Sequence, residues 1–332
     1  MSDFKPRDPH EFGFKDIIYE KKDWIATVTI NRPQVFNSYS ILALREMCEA
    51  FKDASWDDSI AVVVLTGAGD RAFCTGGDVK EYSENYTVKP RDFWKWMGDY
   101  NMAHDLLRNC GKPTIARVNG VVAGGGNEFH MSCDLSIAAE HARIMQVGVR
   151  VGSVAAGGAT QYLPIIVGDR RAREILYLCE PLSAQKAMDW GLVNQVVPSL
   201  VDEKGEYIQD PKKKAEAMKD HKKASIKLDA LDEAVKVTAG KLVEKFPECM
   251  RYTKQQLNFW KDLSWHSTIG HARDWLSVHF ASWEPYEGMK SFVEKRPADY
   301  MKIRERAAAG GSSEFMWGPA TKDCPACNAK GI

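Results

Sequence analysis

A carboxylate two residues behind a run of three glycines is the first feature of this sequence that could do chemistry: Gly124-Gly125-Gly126-Asn127-Glu128. A second glycine-rich stretch, Ala72-Phe73-Cys74-Thr75-Gly76-Gly77-Asp78, precedes it. Each lies beyond a buried-strand pattern, at 60–66 and at 114–118, and each leads into a helical pattern. Helix N-termini leave backbone N–H groups unpaired and carry partial positive charge, and glycine lets a ligand approach that backbone without a Cβ in the way. Two such turns facing each other would aim two N–H donors at one oxygen, which is the construction of an oxyanion hole. The plainer reading is a pair of tight turns. Neither stretch fits GxGxxG, and GxxxxGK[ST] is absent from the chain, so a phosphate cradle is not expected.

Glu128 falls close behind the second turn, where a carboxylate could act as a general base. The alternative is a carboxylate satisfied by the helix dipole. Tyr82 and Tyr86 follow the first turn and could donate hydrogen bonds to a bound ligand, or could equally be packing aromatics. His130 stands two residues past Glu128, on another helix face, and reads as a core or interface histidine.

The elements that must position these groups follow from periodicity. Residues 24–30 (WIATVTI) alternate as a strand, 40–54 read as an amphipathic helix, and 60–66, 114–118 and 134–139 read as interior strands. Helical patterns cover about 92–109, 126–133, 169–179 and 183–190. Strands alternating with helices predict an α/β chain with crossovers. The character changes near residue 198. Residues 201–225 are charged and nearly free of aromatics, as an exposed insertion would be. From 225 onward the pattern is helical, with Trp260, Trp265, Trp275, Phe280 and Trp283 on apolar faces that must pack on the protein's own core or on a neighbouring subunit. Residues 309–332 read as a mobile tail.

Composition narrows the classes. Of 332 residues, 44% are hydrophobic and 27% charged, and 45 basic side chains balance 45 acidic ones. Such a balance lacks the basic footprint of a nucleic-acid protein. No apolar run reaches the ~18–20 residues needed to span a bilayer, and the polar first residues carry no signal-peptide core. The 8 cysteines are scattered, most of them in apolar stretches, so a reducing cytoplasm is expected. Cys324 and Cys327 form one CxxC in the tail, short of the four ligands of a structural zinc site, and no metal is expected.

Read together, AFCTGGDVKEY, KPTIARVNGVVAGGGNEF, CDLSIAAEHARIMQ, GSVAAGGATQYLPIIVG and SAQKAMDWGLVNQVV occur in one order over about residues 17–198, and YEGMKSFVEKRPADY extends the pattern to about residue 300. In these motifs the chain resembles the crotonase (enoyl-CoA hydratase/isomerase) superfamily. The resemblance implies a spiral of ββα units with a helical C-terminal trimerisation region. It divides the chain into a core (1–198), a charged insertion (199–228), a trimerisation region (229–308) and the tail. It implies an acyl-coenzyme A substrate, no separate cofactor, and a homo-oligomer, a trimer or a dimer of trimers. It places the oxyanion donors on the N–H groups of Gly77 and Gly125 and a catalytic carboxylate on Glu128. Thr75, Asp78, Lys80 and Phe280 would line the coenzyme A channel, Asp78 as a turn residue. Lys295 would reach a coenzyme A phosphate from a neighbouring subunit.

Hydratases of the superfamily carry a second catalytic glutamate, and that position is Gly148 here. The naphthoyl-CoA synthase branch carries an aspartate where this chain has Ala155. Its bicarbonate-binding members use a Gln, matched by Gln146, and a Trp, replaced by Leu176. The pattern CTGGxxKEY, GGGxE, GSxAxGGAT, CEPxSAxKA and LDEAV…KFPEC resembles instead the ring-opening 6-oxocyclohex-1-ene-1-carbonyl-CoA hydrolase branch. That resemblance implies attack of water on a cyclic β-keto thioester and C–C cleavage through a thioester enolate, with Glu128 as base, Tyr82 or Tyr86 at the ring ketone, and Gly148 leaving room for the ring. Hydration, isomerisation, a ring-forming Claisen condensation and a non-catalytic coenzyme A-binding role are the alternatives.

Overall fold

The structure, a computed structural model, describes residues 6–219 and 225–308. The chain opens with an antiparallel pair, β1 (Ile17–Lys22) and β2 (Ile25–Ile30), in which alternate residues point to the core. Ser40 then caps α1 (Ile41–Trp56) by accepting the Ala43 N–H at 3.0 Å, and Ala43, Leu44, Met47, Ala50, Phe51 and Ala54 form its buried stripe.

After α1 the chain repeats one unit. A strand of one sheet is succeeded by a short strand of a second sheet, then by helix. β3 (Val62–Gly67) leads to β4 (Ala72–Cys74), a short helical turn α2 (Val79–Glu81), a π-helical turn at Tyr82–Tyr86 and α3 (Pro90–Arg108). β5 (Thr114–Val118) leads to β6 (Val121–Ala123) and α4 (Gly125–Ser132). β7 (Leu135–Ala139) leads to β8 (Arg143–Met145), a 3-10 turn at Gly148–Arg150 and α5 (Ala159–Val167). Then come α6 (Asp169–Leu178), β9 (Leu182–Ser183), α7 (Ala184–Asp189) and β10 (Gln195–Val197). The first sheet has the order β1-β2-β3-β5-β7-β10 and is parallel from β2 onward. The second has the order β4-β6-β8-β9 and is parallel except at β9. This is the ββα spiral of the crotonase fold.

The sequence pattern located β2, β3, β5 and β7 of the first sheet but not β1 and β10, nor β4, β6, β8 and β9 of the second. The glycine turns therefore do not follow the long strands directly. Each follows a short strand of the second sheet.

Beyond residue 198, β11 (Leu200–Val201) pairs with β12 (Ser225–Ile226), and α8 (Pro211–Lys219) lies on the excursion between them. The C-terminal third is thus not helical from its first residue. α9 (Asp229–Val243) covers the first sheet's other face, packing Leu231, Val235 and Ala239 against Val62, Val64 and Ile115. Residues 229–243, expected in the trimerisation region, thus pack on the spiral's own first sheet. α10 (Pro247–Leu257) leads to α11 (Phe259–His279), which inserts Trp265, Ile269, Ala272 and Leu276 against α3 and α5. α12 (Trp283–Val293) and α13 (Tyr300–Ala308) end the described chain. The expected tail, with Cys324 and Cys327, lies outside the described residues. The C-terminal aromatics divide: Trp265 and Phe280 are buried, whereas Trp260 is 65% exposed and stands with exposed Phe259 and Leu263.

Candidate active site

Three parallel strands of the second sheet, β4, β6 and β8, end side by side. Their C-terminal ends deliver Gly76-Gly77, Gly124-Gly125 and Gln146-Val147-Gly148 to one place. Crevices at the carboxyl ends of parallel strands are where α/β folds build sites.

Buried amides fix the approach of these turns. The Asn119 amide donates to the carbonyls of Gly67, Gly69 and Ala72 at 2.8, 2.8 and 3.0 Å. Asn37 donates to Ala68 and Ala72 at 2.9 and 2.7 Å. Gln146 donates to the Gly124 carbonyl at 3.2 Å. Gly76 and Gly124 adopt φ of +96° and +53°, a region that disfavours side chains. The turns touch: a Cβ on Gly76 would stand 3.2 Å from the Gly125 nitrogen. A Cβ on Gly126 would run into the Cys74 carbonyl, so α4 can approach β4 this closely only with glycine there.

Tyr39 N–H donates to the Gly76 carbonyl at 2.9 Å and Asp78 N–H to the Tyr39 carbonyl at 3.0 Å, which leaves the Gly77 N–H between them out of the pairing. Gly125 is the first residue of α4, whose opening N–H groups have no acceptor within the helix. Among the described residues neither N–H has a protein acceptor, and the two turns abut. They are two backbone donors able to serve one oxyanion.

Glu128 projects from the first turn of α4 and is 3% exposed. One carboxylate oxygen accepts the N–H groups of Gly157 and Ala159, at 2.7 and 3.0 Å, from the start of α5. The other accepts the Tyr100 hydroxyl at 2.5 Å. Burial pushes its pKa up, against the pull of Tyr100 and the two amides. The helix dipole acting on Glu128 is that of α5 as well as its own helix's.

The other expected residues fall variously. Tyr82 places its hydroxyl against the Cα of Gly77. Tyr86 turns away: its hydroxyl donates to Glu81 at 3.1 Å, and Glu81 in turn holds the Ile41 N–H. Asp78 caps the turn, accepting the Lys80 and Glu81 N–H groups at 3.1 and 3.3 Å and pairing with Arg32 at 3.0 Å, so its carboxylate is committed within the chain. Thr75 donates to the Phe36 carbonyl at 3.2 Å. Lys80 is exposed, with Glu84 at 3.9 Å. Lys295 is exposed at the end of α12, in a left-handed backbone conformation with φ of +55°. His130 is a core histidine, bonded to Asn127 and Ser136 at 3.1 and 2.6 Å and held near pKa 4 by burial.

Two expectations need correction. Phe280 is only 1% exposed and stacks on Phe93 at 3.6 Å between ring centroids, so it packs the core and offers no face to a channel. Gly148 opens no room: a Cβ there would lie 3.0 Å from the Ser153 carbonyl oxygen and 3.3 Å from the Ala155 nitrogen, because the 153–155 backbone folds across the position.

The sequence reading missed Tyr39 and Tyr100. A Cβ on Gly125 would meet the Tyr39 hydroxyl and stand 3.3 Å from that of Tyr100. Tyr100 lies on one α3 stripe with Phe93, Trp96, Met97, Ala103 and His104, a pattern that reads simply as core.

The ββα spiral, with two abutting glycine turns beside a buried carboxylate, is that of a crotonase-class enzyme. The enoyl-CoA hydratase/isomerase family model matches residues 20–229, and the chain belongs to that family. It is 35% identical to the 6-oxocyclohex-1-ene-1-carbonyl-CoA hydrolase of Geobacter metallireducens, over 92% of this chain and 86% of the relative. It is 33% identical to the protein of the same name from Thauera aromatica, over 85% and 82%. Among solved structures it superimposes on an enoyl-CoA hydratase from Mycobacterium avium subsp. paratuberculosis with TM-score 0.70 at 23% identity, covering 86% of this chain and 98% of that one. An enoyl-CoA hydratase from Bacillus anthracis gives TM-score 0.63 at 26% identity, covering 86% and 99%.

Proposed function

We propose that this enzyme adds water to a 6-oxocyclohex-1-ene-1-carbonyl-CoA-like thioester and opens its ring. The observation that carries the reading is a buried carboxylate, Glu128, beside two N–H donors without a protein acceptor among the described residues, with glycine at 148, where the family resemblance puts a second catalytic carboxylate. The names of the two relatives support the substrate class.

Both chemical steps suit one oxyanion site. Conjugate addition of water to the ring alkene places negative charge on the thioester oxygen, as an enolate. Attack of a second water on the ring ketone, followed by cleavage of the bond to the thioester α-carbon, generates an enolate at that same carbon. The Gly77 and Gly125 N–H groups would hold the oxygen in both, and removing one such donor typically costs about 3–4 kcal/mol. Glu128 would take the proton from each water and return it to the α-carbon. The product is an open-chain seven-carbon hydroxydicarboxylic monothioester. A tyrosine hydroxyl, Tyr82 before Tyr86 on placement, would bond the ring ketone.

Coenzyme A would be part of the substrate, held by backbone at Thr75 and by cations such as Lys80 and Lys295, the latter across a subunit boundary. The exposed apolar ridge of Phe259, Trp260 and Leu263 supports a homo-oligomer, a trimer or dimer of trimers. The free thiols of Cys48, Cys74, Cys110, Cys133, Cys179 and Cys249 support a reducing cytoplasm, and no described helix is long and apolar enough to cross a membrane.

Incubation with the cyclic enone thioester and with its saturated analogue, read by mass spectrometry, tests the proposal. Gain of two waters by the enone and of one by the saturated ring is expected. Gain of a single water by the enone, with the saturated ring untouched, would make the enzyme a simple hydratase.

A further inference from the structure

We propose that Tyr100 is a positioning residue for Glu128, holding the carboxylate through a hydroxyl that can turn toward Tyr39 when Glu128 takes up a proton. The inference rests on Glu128 serving as the base in the proposed ring-opening reaction.

The two carboxylate oxygens are not equivalent. One already accepts two backbone N–H groups, from Gly157 and Ala159, and these donors are fixed by the start of α5. Protonating that oxygen would set a proton against two donors that cannot turn. The other oxygen has one protein partner, the Tyr100 hydroxyl at 2.5 Å, and a hydroxyl can rotate. The proton is therefore taken up on the Tyr100 side. As it arrives, Tyr100 must stop donating to Glu128 and donate elsewhere, while its own oxygen accepts from the new carboxylic acid.

A second hydroxyl stands beside it. A Cβ on Gly125 would meet the Tyr39 hydroxyl and lie 3.3 Å from that of Tyr100, so the two hydroxyls face one point at the turn. The Tyr39 and Tyr100 rings stack with centroids 5.9 Å apart. The line ends at the glycine turns, Tyr39 against Gly125 and Tyr82 against Gly77. Burial raises the pKa of all three tyrosines, so they remain neutral hydroxyls, each able to turn and donate or accept. No proton is lost from the line: the one taken from water sits on Glu128 and returns to the α-carbon.

The other groups around the carboxylate do not compete. His104, on α3, lies at 0% exposure; its Nδ1 meets Ser132 at 3.1 Å, its Nε2 has no partner among the described residues, and burial keeps it neutral. Cys74 on β4 is held as the thiol by burial, its pKa pushed up to about 12. His130, on the same helix as Glu128, is turned to Asn127 and Ser136. Among the described residues no lysine or arginine pairs with Glu128.

Titration of the free protein by infrared spectroscopy tests this without turnover, since the protonated Glu128 carboxyl band is the one missing from Glu128→Gln. Tyr100→Phe should move the band's midpoint up by about one to two pH units, the equivalent of a hydrogen bond to a charged group. 3-Fluorotyrosine at position 100, a stronger donor of nearly unchanged shape, should move it down. In turnover, Tyr100→Phe should lower kcat by about 10–100-fold and carry the acidic limb of the pH profile upward by the same interval. A band and limb unmoved in both variants overturn the proposal, and the fluorinated protein gives the answer even if Tyr100→Phe misfolds. If the band moves but the wild-type enzyme adds no water to the ring thioester, the positioning of Glu128 stands and the proposed reaction falls.

Discussion

Glu128→Gln separates a base from a structural carboxylate, and the surroundings of Glu128 say what each would do. The glutamine carbonyl oxygen can still accept from Gly157 and Ala159, which hold the carboxylate at 2.7 and 3.0 Å. Its NH2 would then face Tyr100, whose hydroxyl can turn to accept. The hydrogen-bond count is kept, so the loss in stability should stay within about 1–3 kcal/mol, the range for one weakened buried bond. Removing a general base should cost about 10²–10⁴-fold in kcat, with thioester binding retained, and should abolish the acidic limb of the pH profile. Stability carries an independent signature. Burial raises the folded pKa of Glu128 above its unfolded value. The stability that this proton uptake supplies is full below the unfolded pKa and is lost as pH rises through the folded one. Glutamine has no such loss, so the Tm difference should shift in the variant's favour as pH rises from the ordinary carboxylate range upward. Stopped-flow turnover and calorimetry at several pH values make the test. Near-normal turnover would refute Glu128 as base. Collapse of binding together with turnover would show that it holds the α4–α5 junction and nothing more.

Three further outcomes are expected. Gly125→Val sets its side chain against the Tyr39 hydroxyl at the oxyanion turn, and kcat should fall at least about 100-fold with circular dichroism unchanged; an active folded variant would remove Gly125 from the site. Lys295→Ala should raise KM for the thioester more than it lowers kcat, since a phosphate contact binds ground and transition states alike; equal losses in kcat and kcat/KM would argue against that contact. Phe280→Ala opens a cavity beside Phe93 and should cost about 3–5 kcal/mol in denaturant titrations while KM holds; an intact Tm with a raised KM would return Phe280 to the coenzyme A channel.

The legibility of the fold in the sequence followed segment length and burial. β3 is buried throughout and α1 carries an unbroken apolar stripe behind a serine cap, so periodicity finds both. β4, β6, β8 and β9 are two or three residues long, too short for alternation to show, and they pair only with strands distant in sequence. Their positions are set by tertiary contacts such as the Asn119 amide reaching across to Gly67, Gly69 and Ala72. α9 reads as one more amphipathic helix after a charged excursion. Nothing local says that its apolar face returns to the first sheet.

The site was half legible for a related reason. Glycine and glutamate at Gly77, Gly125 and Glu128 are conspicuous because their types are rarely needed for packing at such spacings. Tyr39 and Tyr100 are not, because a tyrosine ring serves the core as well as a phenylalanine does. Only the placement of the hydroxyl tells the difference, and that placement depends on α3 crossing α4 and on Tyr39 bridging to Gly77. Tyr86 shows the converse. It follows the first glycine turn as closely as a ligand would, yet the π-helical turn rotates its hydroxyl to Glu81. Gly148 makes the same point for an absence: a missing side chain predicts space only if the backbone elsewhere stays away, and here residues 153–155 close over it.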